Sequence, residues 1–77
     1  MDVKHTRNHG WTITSTSLLT DEAAQALTFL AEPKQVVMGD FVEVKDPAGT
    51  RIGYVAQAEY IRRAWNTAQV KVTIALH

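Results

Sequence analysis

The chain of 77 residues contains no cysteine, which excludes disulfide bonds and thiolate metal sites. A chain without cysteine suits a reducing compartment, and we expect a cytoplasmic protein. No apolar run in the sequence approaches the roughly 20 residues that a membrane-spanning helix needs. The segment that opens the chain is polar. The sequence therefore predicts neither a membrane segment nor a signal peptide.

The chain also lacks net charge, but its charges are unevenly distributed. Acidic side chains dominate residues 21–46, and basic side chains dominate residues 47–77. A dipolar surface is typical of a binding protein with one acidic and one basic pole. Chance produces the same unevenness in a short chain, and no block of like charge here exceeds two residues. Both interpretations stay open.

Residues 39–56 predict a β-hairpin. Residues 41–45 and 51–56 are rich in β-branched and aromatic side chains, which favour strands. The intervening Asp-Pro-Ala-Gly segment matches a type I turn, with Gly49 at a positive φ. Alternation along the two strands predicts an apolar face made of Val42, Val44, Ile52, Tyr54 and Ala56.

Two helices are expected, one on each side of this hairpin. Thr20 fits an N-cap, and Pro33 limits the first helix to residues before it. The apolar side chains of that helix recur at helical spacing, at Ala23, Ala26, Leu27 and Leu30. Ala58, Ile61 and Trp65 repeat the spacing, which predicts a second helix over residues 58–65 with Trp65 in the core.

These elements predict an α+β fold. Residues 11–15 and 70–76 alternate apolar and polar side chains and predict the first and last strands. We expect a small antiparallel sheet with one or two helices packed on it, and whether the sheet curls toward a barrel stays open. Residues 11–77 form one domain, and residues 1–10, which show no periodicity, form a flexible arm.

Sequence patterns of catalysis are missing. The chain has no Gly-x-Ser-x-Gly motif and no glycine-rich phosphate loop before a helix. His5 and His9 lie four residues apart, but no helix signal and no acidic ligand accompany them, and we interpret them as solvent-exposed. We expect a protein that is not an enzyme and that holds no metal and no cofactor.

Basic side chains offer a surface for nucleic acid. Phosphate contacts are expected from Lys45, Arg51, Arg62 and Arg63. Tyr54 offers a flat ring on which a base can stack. The competing interpretation is that these cations form a solvated rim and that Tyr54 belongs to the core.

Residues 30–55 carry a resemblance to a known family. They contain Glu32-Pro33, then Phe-Val-Glu-Val over residues 41–44, and finally Gly49 followed by Ile-Gly-Tyr-Val over residues 52–55. This order resembles the HIRAN domain of some helicases and nucleases and of free-standing bacterial and phage proteins. The resemblance implies a nucleic-acid-binding module. The family's Asn-Pro-Tyr-Asp box, which helps to form its single-stranded DNA pocket, is absent from residues 34–40, so that pocket does not carry over.

Two functional hypotheses follow from the charges. The first is a small non-enzymatic, HIRAN-like binding module that contacts nucleic acid through the basic pole. The alternative is a phage or mobile-element protein that inhibits a host protein, for example a CRISPR defence complex, through protein–protein contacts. An acidic surface made of Asp40, Glu43 and Asp46 would carry that second function by mimicking phosphates.

Overall fold

Six strands form a single sheet in a computed structural model that describes residues 1–77. The sheet order is β1-β2-β4-β5-β6-β3, with β2 and β4 parallel and all other neighbours antiparallel. A single short helix, α1, lies between β2 and β3. The bounds are β1 (Asp2–Thr6), β2 (Gly10–Thr14), α1 (Asp21–Gln25), β3 (Ala26–Ala31), β4 (Phe41–Asp46), β5 (Gly49–Arg63) and β6 (Ala68–Leu76).

The predicted α+β class is wrong, because the chain is 60% strand and 6% helix. The sheet is a curled half-barrel rather than a flat layer beneath helices. The curl brings the second and sixth strands of the sheet together: the rings of Trp11 on β2 and Phe29 on β3 lie 5.3 Å apart. The core is the concave side of this curl.

The first predicted helix begins as expected but ends early. Thr20 is the N-cap, and its Oγ1 accepts a hydrogen bond from the Ala23 N–H at 3.0 Å. The helix ends at Gln25, and the chain continues as β3. In β3 the buried side chains are Leu27, Phe29 and Ala31, which alternate with exposed ones. Pairing with β6 makes this segment a strand, since an isolated helix of this length has only marginal stability.

The second predicted helix does not exist, because β5 runs without a break from the hairpin turn to Arg63. Its pairing with β6 shifts at two bulges, one between Val55 and Gln57 and one between Tyr60 and Arg62. Each bulge inserts one extra residue, so the alternation of inward and outward side chains changes phase. The spacing of inward residues becomes three at the first bulge, from Val55 to Ala58. Two of the side chains that predict the helix, Ile61 and Trp65, are exposed.

The β4–β5 hairpin confirms the predicted turn. Asp46 pairs with Gly49, and Gly49 has a φ of 145°. In β4 the valines are buried as expected, but in β5 the buried face carries Gly53 and Val55, while Ile52 and Tyr54 face solvent. The expected apolar face of the second strand therefore points outward.

The first residues of the chain belong to the sheet. Residues 1–10, expected to form a flexible arm, contribute β1, which pairs with β2 from Asp2 to Thr6. No helix has the length and apolar character needed to cross a membrane.

Candidate nucleic-acid interface

The basic side chains that the sequence groups together lie in two separate places. Lys45 and Arg51 are close to the turn between β4 and β5, whereas Arg62 and Arg63 are at the opposite end of β5. At the rise of a β-strand, the separation between Arg51 and Arg62 is roughly 30 Å. A single short site cannot use both groups.

Arg51 is held by its own chain. Its Nη2 donates to the Leu19 carbonyl oxygen at 2.7 Å and to the Asp46 carboxylate, and its Nη1 donates to Asp21 at 3.1 Å. The side chain is 22% exposed. These bonds join the hairpin turn to the segment that leads into α1. Arg51 is therefore a structural side chain, with both terminal nitrogens already bonded within the chain.

Asp46 is the acidic centre of this junction, and its side chain is only 1% exposed. The carboxylate accepts hydrogen bonds from the N–H groups of Leu19, Ala48 and Gly49. The bond from Leu19 is the largest cause that lowers the pKa of Asp46 below its ordinary value of 3.8, and the other two bonds and the Arg51 charge act in the same direction against burial.

The lowered pKa of Asp46 predicts a pH-dependent contribution to stability. A carboxylate with a depressed folded-state pKa stabilises fully above its unfolded value and loses this contribution as the pH falls through the folded value. We expect Asp46→Asn to lower the melting temperature at pH 7, and the gap to wild type to shrink as the pH falls below 3.8. Thermal melts of both proteins across that range measure the gap. A gap in melting temperature that does not change with pH would contradict the lowered pKa of Asp46.

The other two predicted acidic residues also have partners. Asp40 Oδ2 lies 3.8 Å from His5 Nε2, and Glu43 Oε1 lies 2.8 Å from His9 Nε2. Glu43 also pairs with Lys45, at 3.7 Å. Glu43 and Asp46 are therefore bonded within the chain, whereas Asp40 lies near His5 at a distance too long for a hydrogen bond. The histidines lie beside separate carboxylates, and no three metal-binding side chains come together.

Tyr54 lies on the convex side of the sheet, where 46% of the residue is exposed. Its strand partner is Phe41, and its ring centroid is 6.3 Å from that of His77. Ile52 is exposed on the same face. Tyr54 therefore belongs to an aromatic surface that is separate from Arg62 and Arg63.

The end of the β5–β6 hairpin, residues 61–67, holds the remaining basic pair. The Ala64 N–H donates to the Thr67 carbonyl oxygen at 2.8 Å and closes the turn. Arg62 and Arg63 are exposed, and neither takes part in any of the chain's ion pairs. The Arg63 guanidinium carbon lies 5.3 Å from the centre of the Tyr60 ring, within range of a cation–π interaction.

Trp65 is at the tip of this hairpin end and is 97% exposed. The expectation that it packs in the core is wrong, because the helix that would carry it inward is absent. The sequence contains a signal that could have located it. Asn66 and Thr67 lie between two runs of strand-forming residues, and Asn is common in hairpin turns.

The hairpin end thus combines two unpaired guanidinium groups with an indole ring that has almost no contact with its own chain. Guanidinium groups bind phosphates, and an indole ring stacks on bases. Only these side chains indicate what the chain binds: no family model, no curated protein and no solved structure matches it.

Proposed function

We propose that this protein is a non-enzymatic binding module that contacts single-stranded nucleic acid through the hairpin end. Arg62 and Arg63 contact phosphates, and Trp65 stacks on a base. The observation that carries the proposal is the 97% exposure of Trp65 beside two arginines without ion-pair partners.

Single-stranded nucleic acid fits this combination better than a duplex. Its unstacked bases are available to an aromatic ring, and one stacked base contributes roughly 1–3 kcal/mol. In a duplex the bases are already stacked on one another, and a single tryptophan would have to separate them. The two arginines add an electrostatic attraction that is independent of sequence. The expected ligand is therefore a single strand bound with little sequence preference.

The hairpin end is partly ordered before it meets a ligand. The Tyr60 ring lies beneath the Arg63 guanidinium, and the Ala64–Thr67 hydrogen bond closes the turn. Preorganised side chains lose less conformational entropy on binding. Arg63 and the turn backbone are therefore positioned before binding, whereas Trp65 is ordered by the ligand.

The proposal narrows the interface that the sequence suggests. Lys45 and Arg51 are in ion pairs, and Tyr54 lies on the convex aromatic surface, so Arg62 and Arg63 are the predicted residues that remain. The resemblance to the HIRAN domain agrees with nucleic-acid binding but stays a prediction, as does the cytoplasmic location. Inhibition of a host protein through Asp40, Glu43 and Asp46 has less support, since Glu43 and Asp46 are already bonded within the chain.

Reversal of the basic pair tests the proposal. We expect Arg62→Glu combined with Arg63→Glu to abolish binding of a labelled single-stranded oligonucleotide, measured by fluorescence anisotropy over a salt series. For wild type, affinity should fall with salt by about 0.7 units of log–log slope for each phosphate contact. The fold should be unaffected, because both side chains are exposed.

The matched control is Lys4→Glu combined with Arg7→Glu, which changes the net charge equally at two exposed cations near β1. This control should bind with nearly wild-type affinity. Equal loss in both double variants would mean that only net charge matters, and the hairpin end would not be the site. Absence of wild-type binding at low salt would overturn the proposal and favour a protein ligand, since Trp and Arg also dominate protein–protein contacts.

A further inference from the structure

β3 is an edge strand whose outer side has no hydrogen-bonding partner in the chain. It pairs with β6 alone, and none of the nine backbone hydrogen bonds outside the regular elements involves Ala26–Ala31. An edge strand presents alternate N–H and C=O groups that can pair with another extended chain. β3 therefore offers such groups on alternate residues of its six-residue length.

The two edges of this sheet differ in how they are protected. Natural proteins discourage pairing at exposed edges with charged side chains, prolines or bulges. β1, at one edge, carries Asp2 and Lys4. β3, at the other edge, has the sequence Ala-Leu-Thr-Phe-Leu-Ala, without charge or proline, and its pairing with β6 has no bulge. This second edge has none of these protections.

We propose that β3 pairs antiparallel with β3 of a second copy of this chain. The pairing joins the two six-stranded sheets into one continuous sheet around a two-fold axis. An isologous contact of this kind uses the same surface on both copies and closes the assembly at a dimer.

Side-chain alternation restricts the register of this dimer. Facing residues must share a side of the sheet, and Ala26, Thr28 and Leu30 all lie on the exposed side. A two-fold axis through Thr28 then places Ala26 opposite the partner's Leu30. Leu30 is 69% exposed in the single chain, and this pairing gives its side chain an apolar neighbour.

Two unpaired charges that flank β3 favour pairing with a second copy. Glu22 precedes β3, Lys34 follows it, and neither forms an ion pair within the chain. Antiparallel pairing brings the end with Lys34 in one copy to the end with Glu22 in the other. Glu32, which lies beside Lys34, adds a second carboxylate to each facing end, so the attraction comes from the approach of Lys34 to Glu22 alone.

The substitution Thr28→Glu should weaken the dimer without destabilising the fold of each copy. Within one chain Thr28 lies opposite Lys71 on β6, so a carboxylate there favours the intrachain ladder. Across the two-fold axis it faces its own copy, and like charges directly opposite each other destabilise a strand pair. The matched control is Thr73→Glu, which adds the same charge on the same exposed side but on an interior strand.

Sedimentation equilibrium from micromolar to millimolar concentration measures the assembly. We expect wild type and Thr73→Glu to reach twice the monomer mass, and Thr28→Glu to raise the dissociation constant at least about tenfold. A wild type that stays monomeric throughout would overturn the proposal. So would a Thr28→Glu variant that dimerises as tightly as wild type.

Hydrogen exchange of the wild-type protein gives a second test that needs no substitution. The outward amides of β3 should exchange more slowly at high than at low concentration, while the outer amides of β1 should not change. Protection that grows at β1, or at neither edge, would also overturn the proposal.

Discussion

Trp11→Ala is expected to unfold the protein at room temperature, whereas Trp65→Ala is expected to leave its stability unchanged. Trp11 is 3% exposed, and its ring centroid lies 4.5 Å from that of His5 and 5.3 Å from that of Phe29. It joins the two sides of the curled sheet. Truncation of a buried tryptophan costs roughly 3–5 kcal/mol, which is comparable to the whole stability of a small domain.

Trp65 provides the matched control, since it is the same residue type with almost no contact in the chain. Its replacement should change the free energy of unfolding by less than about 0.5 kcal/mol. Chemical denaturation followed by circular dichroism measures both variants without depending on tryptophan emission. If Trp65→Ala destabilised the protein as strongly as Trp11→Ala, the long strand β5 would be wrong and a helix that buries Trp65 would be favoured.

Gly10→Ala is expected to be far more damaging than Gly49→Ala. Gly10 begins β2 with a φ of 89°, which disfavours any side chain. A Cβ at this position would also overlap the carbonyl oxygen of Phe41 on β4. The parallel contact between β2 and β4 would have to open at this point. We expect a loss of about 3 kcal/mol or more, from backbone strain and overpacking together.

Gly49→Ala isolates the backbone part of this effect. Gly49 has a positive φ of 145°, but a Cβ there would meet no atom within 4 Å. Its substitution should cost on the order of 1 kcal/mol. Melting curves of the two variants give the comparison. Equal losses of stability in the two variants would show that β2 and β4 are not in close contact at Gly10. A Gly49→Ala variant as stable as wild type would contradict the turn assignment.

Local chemistry was predictable from the sequence wherever one short segment determines it. The Asp-Pro-Ala-Gly turn, the N-cap Thr20 and the strand that carries Trp11 all follow from neighbouring residues, and the structure has them. The parallel pairing of β2 with β4 and the place of β3 at the far edge depend on contacts between distant segments. No local pattern encodes these contacts.

The early end of the first predicted helix and the absence of the second have separate physical causes. In and just after β5 the helical spacing of Ala58, Ile61 and Trp65 does not mark a buried face, since Ile61 is 54% and Trp65 97% exposed. In β3 Leu27 satisfies both the helical and the strand pattern, and the ladder with β6 selects the strand. Neither a bulge nor the strand with which a distant segment pairs can be read from one sequence. The apolar spacing of both segments therefore predicts helices.

The candidate site was predictable in part. Charge alone identified Arg62 and Arg63 as basic surface residues, and both are exposed. Charge could not distinguish them from Arg51, whose engagement with Asp46 depends on the hairpin turn that brings the two together. The apolar spacing that predicts a helix over residues 58–65 also places Trp65 in the core. One wrong prediction, a helix over residues 58–65, therefore misplaces both the strand and the site residue that follows it.

Titration of the intrinsic tryptophan emission with a single-stranded oligothymidylate at low salt tests directly whether bases stack on Trp65. The chain has two tryptophans, of which Trp11 is buried and Trp65 is exposed. We expect wild-type emission to fall as the bases stack on Trp65, and the emission of Trp65→Phe, which comes from Trp11 alone, to stay constant. Wild-type emission that does not change up to millimolar oligonucleotide, or an equal fall in Trp65→Phe, would contradict binding at the hairpin end.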